Sequence, residues 1–478
     1  MEKIRIPYYY KSLNFNKFVK EYPPPAEYAE TVYLWKRDKI DKMQAERFKK
    51  VVEFAWGHPF YKRKWTEAGL TPNDIKGIED IVKLPIVSTL DLKTEIQASP
   101  PFGASGNAKA IVKEKPLKLN STGGTTGMPR PIFFSPIEWE MNALQFARAF
   151  FTQGARPGDM MQIPITPSIA NLGWAAYYAC HHWLGVIPVT TGTGNVTPSR
   201  RQIEIARDWG SNMWVSFPEY LGHLAKVAKE ELNFDVRDLK TKFMLSFLGP
   251  DLSGRLRRQI EEIWGTDVYD GYGTTDISLA AFECKEKSGR HFQEDLLYLE
   301  VVDPDTNEPV DMKKGEKGDL VVTCFYRHYP PIIRYSLKDL VRIIDHGKRC
   351  SCGSYLLRMD YFLGRSDDMV KIRGLNVYPM ACLDAVTRDS RSTGEWICVV
   401  DRIGEGLSAR EEMTVKIEYK NENIEKEDFK RKMEESLKAD LGIRVTIEPV
   451  PPGSLSELTG YGGEKKVKRL KDNRPKER

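Results

Sequence analysis

Over residues 41–56 the apolar side chains Met43, Phe48, Val51, Val52, Phe54 and Ala55 recur at helical spacing and stop before Pro59. That pattern predicts a helix packed on one face. Residues 139–151 repeat it. Beyond them, short apolar runs at 160–164, 186–189, 213–217 and 244–248 alternate with helical patterns at 175–184, 200–208, 220–231 and 252–264. Strand and helix taking turns imply a largely parallel sheet covered by helices. Between 296 and 341 the pattern becomes short strands with turns at Asp303-Pro-Asp-Thr-Asn and Lys313-Lys-Gly-Glu, which predicts a β-rich subdomain. Strands at 397–401, 413–419 and 444–449 with a helix at 426–437 complete a small α+β unit. The expected class is α/β, with a large domain at 1–366 and a small domain at 367–478.

A chain of 478 residues accommodates two to four structural units. Its net charge of +5 is a small excess of 72 basic over 67 acidic residues, concentrated at the end, where Lys465, Lys466, Lys468, Arg469, Lys471, Arg474, Lys476 and Arg478 crowd together. Such a tail reads as a solvated end or a nucleic-acid patch. The first ten residues lack the apolar stretch of a leader, and no uninterrupted apolar run is long enough to cross a bilayer, so the expectation is a soluble, cytoplasmic protein. Seven cysteines in such a chain argue against a disulfide framework and leave metal binding or burial.

The densest chemical signal is Ser121-Thr-Gly-Gly-Thr-Thr-Gly-Met-Pro-Arg130, whose small residues and hydroxyls suit a loop that surrounds phosphate. The Walker A pattern does not fit, because Met128 and Pro129 follow Gly127. Three further segments follow in order: Val268-Tyr-Asp-Gly-Tyr-Gly-Thr-Thr-Asp276, Ile333-Arg-Tyr-Ser-Leu-Lys-Asp339 and Gly364-Arg-Ser-Asp-Asp-Met-Val-Lys-Ile-Arg-Gly-Leu-Asn-Val-Tyr-Pro379. In kind and order these four resemble the motifs of the adenylate-forming acyl-ligase superfamily, and in detail its phenylacetate–CoA ligase branch, from about Val51 to Arg474.

The resemblance implies roles residue by residue. Thr122, Gly123, Gly124, Thr125, Thr126 and Gly127 would hold the outer phosphates of ATP; the family often has Lys where Met128 stands, and Arg130 lies two positions on. Tyr272 and Gly273 would belong to the nucleotide site, Thr274 or Thr275 would contact the α-phosphate, and Asp276, where the family has Glu, would reach Mg²⁺. Gly249, Pro250 and Asp251 match the loop beside the adenine, Asp339 the carboxylate on the ribose hydroxyls, and Arg365 the arginine supporting ribose and phosphate. Asp367 matches the hinge, and Lys371, Arg373 and Gly374 a loop turned later toward coenzyme A. Lys466 matches the catalytic lysine, with Lys465 as runner-up: an ammonium bridging carboxylate and α-phosphate stabilises the adenylation transition state. Asn171, Trp174, Phe217, Phe247 and Gly271 would line the acid pocket. Cys284, His291, Cys350 and Cys352 supply the thiolates and imidazole of a closed structural zinc site, and part of the branch carries such residues at these places. Cys180, Cys382 and Cys398 sit in apolar runs and read as packing residues.

The expected activity is ATP- and Mg²⁺-dependent ligation of an aromatic or arylacetic acid to coenzyme A through an acyl-adenylate, with no nucleic-acid or membrane partner and homodimerisation left open. Two rivals stand beside it. One is an enzyme of the same fold whose acceptor is an amine, a hydroxyl or a cofactor. The other is a zinc-stabilised nucleic-acid-binding protein with a basic tail.

Overall fold

The computed structural model describes residues 6–103, 112–113, 115–121, 130–249, 251, 254–360, 363–366, 370–372, 375–403, 410–421, 423–441, 443–459 and 468–474. It is a mixed α/β structure in two compact units. The first takes Met1–Leu248, Arg257–Leu337 and Val341–Asp360; the second gathers Gly249–Leu256, Lys338–Leu340 and Tyr361–Arg478.

The first unit is built on one long sheet. Strands β3 (Met160–Gln162), β4 (Ile187–Val189), β5 (Met213–Ser216), β6 (Phe243–Ser246) and β7 (Val268–Thr274) run parallel in the order β4-β3-β5-β6-β7. The helices Leu172–Tyr178, Ser199–Trp209, Pro218–Leu232 and Arg255–Trp264 fall between these strands in sequence, as the alternating pattern implies. Strands β5 and β6 are buried at every position, which is why they read as unbroken apolar runs. The β-rich segment continues this sheet. Strand β8 (Ser278–Glu283) pairs antiparallel with β7, β9 (Arg290–Phe292) with β8, and β13 (Arg358–Met359) with β9; β10 (Leu297–Val302) pairs antiparallel with β11 (Lys317–Cys324).

A separate hairpin frames the Gly/Thr segment. Strands β1 (Lys118–Ser121) and β2 (Pro131–Phe134) pair antiparallel, with Ser121 opposite Pro131. The Pro136–Gln153 helix follows at once, started by Ser135, whose backbone N–H donates to Glu138 at 2.7 Å and whose hydroxyl donates to the same carboxylate at 2.6 Å. This helix is buried on nearly all sides, so polar Glu140, Gln145 and Arg148 lie inside the unit and need partners. Arg148 finds Asp295 at 3.0 Å.

The second unit carries β17 (Ser392–Ile403), β18 (Arg410–Tyr419), β19 (Thr446–Val450) and β20 (Leu470–Asp472) in the order β19-β18-β17-β20, with the Lys426–Leu441 helix. Trp396, Ile417, Phe429 and Leu437 form its core. The basic tail is partly structural. Arg469 pairs with Glu395 at 2.9 Å and lies 4.0 Å over the Trp396 ring, and Arg474 pairs with Asp472 at 2.7 Å. The backbone N–H of Lys468 donates to the Thr459 carbonyl at 2.7 Å.

Candidate active site

Within the first unit, the ends of parallel strands collect the candidate residues. Phe217 follows β5, Phe247 follows β6, and Gly271 lies in β7, so all three sit toward the carboxyl edge of the sheet, where open α/β sheets bind ligands. Phe217 and Phe247 have ring centroids 5.7 Å apart, and a Cβ on Gly271 would stand 3.3 Å from Phe247 and 2.9 Å from Leu279. Glycine therefore leaves room between these side chains. Trp174 keeps other company: its indole N–H donates to the Ser168 carbonyl at 2.7 Å and its ring stacks on Tyr178 at 6.3 Å. Asn171 is buried, donates to Asn142 at 3.4 Å, and has no hydrogen-bond partner for its side-chain oxygen among the described residues.

The turn after β7 is tight because Gly273 faces the backbone of the returning strand. A Cβ there would lie 1.9 Å from the Ser278 carbonyl oxygen, closer than any side chain can come. Ser278 itself has φ of 54°, in the left-handed region. The turn presents Thr274, Thr275 and Asp276. The Thr274 hydroxyl is buried and has no hydrogen-bond partner among the described residues, the state of a group that waits for a ligand acceptor. Asp276 is buried and both its oxygens accept from Nη2 of Arg130 at 2.6 Å. Arg130 is itself buried, and the Asp276 and Tyr335 side chains raise its pKa against the opposing effect of burial. The sequence marked Arg130 only as a charge near the phosphate segment; its place directly before β2 is the signal that connects it to the turn.

In the second unit, β14 (Gly364–Arg365) sets Arg365 directly opposite Asp339, and the guanidinium donates to the carboxylate at 3.3 Å. Two residues assigned to one ribose thus stand together. Gly249 has φ of 65°, and the Asp251 carboxylate accepts from the Leu256 backbone at 3.2 Å, at the start of the Arg255–Trp264 helix. Strands β15 (Val370–Ile372) and β16 (Leu375–Val377) place Lys371 opposite Asn376. Thr122, Gly123, Gly124, Thr125, Thr126, Gly127, Pro250, Asp367, Arg373, Gly374, Lys465 and Lys466 lie outside the described residues.

The four candidate zinc ligands meet in the first unit. The ligand atoms of Cys284, His291, Cys350 and Cys352 all lie within 4.8 Å of one another, and three of the residues are buried. Tetrahedral zinc with Zn–S bonds of about 2.3 Å needs sulfurs roughly 3.8 Å apart, so the set fits that ion. The Cys352 thiol lies 3.6 Å from Nε2 of His291 and 3.2 Å from the Tyr33 hydroxyl. Cys180, Cys382 and Cys398 are buried, as the apolar runs around them imply. No helix among the described residues is long and apolar enough to cross a membrane.

Comparison with known proteins adds the following. Residues 57–324 match the family model of the AMP-binding enzymes, and residues 374–474 that of the AMP-binding enzyme C-terminal domain. The phenylacetate-coenzyme A ligase of Aromatoleum evansii is 28% identical over 468 residues, covering 95% of this chain and 99% of the relative. The enzyme of that name from Pseudomonas putida is 30% identical over 348 residues, covering 72% of this chain and 74% of the relative. Among solved structures, 2-hydroxyisobutyryl-CoA ligase in the postadenylation state with 2-HIB-AMP superposes with a TM-score of 0.79 at 28% identity, covering 95% of this chain and 94% of that one.

Proposed function

Because this chain belongs to the AMP-binding enzyme family, we propose that it joins a carboxylic acid to coenzyme A, consuming ATP and passing through an acyl-adenylate. The observation that carries this reading is coverage: a phenylacetate-coenzyme A ligase aligns with 95% of the chain, so both the adenylating part and the C-terminal part are present in one polypeptide. The ring pair Phe217–Phe247 beside Gly271 supports an aromatic or arylacetic acid as substrate. An amine, hydroxyl or cofactor acceptor has no comparable support, and ion pairs occupy part of the tail charge on which a nucleic-acid reading depends.

In this reading, residues 1–366 bind ATP and the acid, and 367–478, turning about Asp367, deliver Lys466 for adenylation and later Lys371, Arg373 and Gly374 for the thiol. Thr122 to Gly127 take the outer phosphates, Thr274 and Thr275 the α-phosphate, and Gly249, Pro250 and Asp251 the adenine. Asp339 takes the ribose hydroxyls, with Arg365 beside it. Asp276 is the carboxylate available to Mg²⁺, which would offset phosphate charge. A single carboxylate with substrate phosphate is a common magnesium donor set. Arg130 holds that carboxylate in place. Cys284, His291, Cys350 and Cys352 hold a structural zinc. The cytoplasm is the compartment assigned.

Half-reactions test the assignment. Lys466→Ala should abolish acid-dependent pyrophosphate exchange yet leave thioester formation from supplied acyl-adenylate and coenzyme A, because the two steps use different arrangements of the chain. Normal exchange in Lys466→Ala, or equal loss of both steps, would count against the lysine's role; absence of any acid-dependent AMP release with coenzyme A would remove the activity itself.

A further inference from the structure

The first unit holds a cavity of about 420 Å³ that none of the residues assigned above to ATP or the acid lines. Its wall includes Tyr9 and Tyr10 near the N-terminus, Lys118 on β1, Trp139 on the Pro136–Gln153 helix, and Tyr178 and His182 on the following helical segment. The rings are arranged as recognition surfaces. Trp139 and Tyr178 stand edge to face at 5.9 Å, Tyr9 and Tyr10 edge to face at 5.4 Å, and the Tyr178 and His182 rings are tilted by 57° at 4.5 Å. Volumes of several hundred Å³ with aromatic walls are typical of small-molecule sites.

The polar groups specify the sign of the occupant. Lys118 Nζ lies 4.6 Å from the Trp139 ring centroid and donates to Asn120 Oδ1 at 2.7 Å, and burial lowers its pKa. Asn120, two residues on along β1, is fully buried and orients the ammonium from behind; it is not part of the cavity wall. Among the described residues Lys118 pairs with no carboxylate. The nearby carboxylate does not fill that need. Glu140 accepts from the Tyr9 hydroxyl at 2.9 Å and contacts Nδ1 of His182 at 3.1 Å, so its charge is turned to those partners. A cationic guest would meet Lys118, and a purely apolar one would bury that ammonium without compensation.

We infer that this cavity is a second binding site, specific for a small aromatic anion, with the ring among Tyr178, Trp139 and the tyrosines and the anionic group on Lys118. The site adjoins Trp174, assigned above to the acid pocket, whose ring centroid lies 5.2 Å from Lys118 Nζ and whose ring stacks on Tyr178, but its test does not depend on the ligase reading. Equilibrium dialysis of the full chain against 4-bromobenzoate, with 4-bromobenzyl alcohol as the neutral control, measures it. The acid should show a binding equivalent that the alcohol lacks, and Lys118→Met should weaken that equivalent by at least about tenfold, the lower end of a charged hydrogen bond. Tyr10→Ala, which removes a half-exposed ring, should weaken it as well. Anomalous scattering from the bound acid should put bromine in the cavity. Binding unchanged in Lys118→Met, equal binding of the alcohol, or bromine found only beside Phe217 and Phe247 overturns the inference. Loss of ligase activity with this equivalent intact would fail the proposed function and leave the site standing.

Discussion

Asp339 and Arg365 stand opposite each other across two antiparallel strands, and that pairing has energetic meaning for both. The contact at 3.3 Å orients the carboxylate before any nucleotide arrives, while Arg365 remains partly exposed and can serve a second anion. Asp339→Ala should therefore raise the KM for ATP by roughly ten- to a hundredfold, the value of losing about 1.5–3 kcal/mol of charged hydrogen bonding. Pyrophosphate exchange at varied ATP gives the number, and an unchanged KM would remove Asp339 from the ribose. Each of the two was named from its own motif in the sequence, but their contact across the strands was not. Nor was that of Arg130 with Asp276, which are far apart in the chain and meet only through the arrangement of the β1–β2 hairpin against the turn after β7. Trp174, Phe217 and Phe247 were all pocket candidates by resemblance, and the structure adds their neighbours: Trp174 stacks on Tyr178, and Phe217 meets Phe247.

At the scale of elements, the β7–β8 turn and the Cys/His cluster are the two places where one substitution should disrupt a local arrangement. Gly273→Ala puts a methyl 1.9 Å from the Ser278 carbonyl, and since the obstacle is backbone, the strands must part. The expected result is a lowered Tm together with loss of acid-dependent pyrophosphate exchange, measured on the same preparation; wild-type values for both would show that the turn tolerates a side chain. For the cluster, elemental analysis should find about one zinc per chain, and Cys350→Ser should lower zinc content and Tm together, because ligand protonation and metal loss are coupled to folding. A metal-free chain of full stability would remove zinc from the account. Helices and parallel strands were legible from periodicity because burial on one or both faces writes itself into the apolar spacing. The Pro136–Gln153 helix starts three residues before its apolar pattern, at a Ser135-x-x-Glu138 box that periodicity alone does not register. The antiparallel half of the sheet was harder to read. Strand order such as β8-β9-β13 depends on pairing between distant segments, and no local pattern encodes a partner.

For the whole molecule, the sequence placed a change of architecture near residue 367; the second unit begins at Tyr361 and also takes in 249–256 and 338–340. Short segments that leave one unit and return cannot be seen in a linear pattern. The backbone bond from Lys468 to Thr459 bears on this organisation in another way. It holds Thr459, at the end of the Ser456–Thr459 helix, beside Lys468, two residues before β20. That pairing separates two properties that usually move together. Inserting two glycines after Gly463 adds to the eight residues between the pair and costs only about 0.2 kcal/mol of closure entropy, so Tm should stay within a degree or so of wild type. The spacing in sequence from Thr459 to Lys466, the lysine proposed above for adenylation, would nevertheless change, and acid-dependent pyrophosphate exchange should fall by at least about a hundredfold, as misplacement of a reacting group by a single ångström can do. Rate and stability here would answer to different features: stability to the pairing of Thr459 with Lys468, and rate to the number of residues between them.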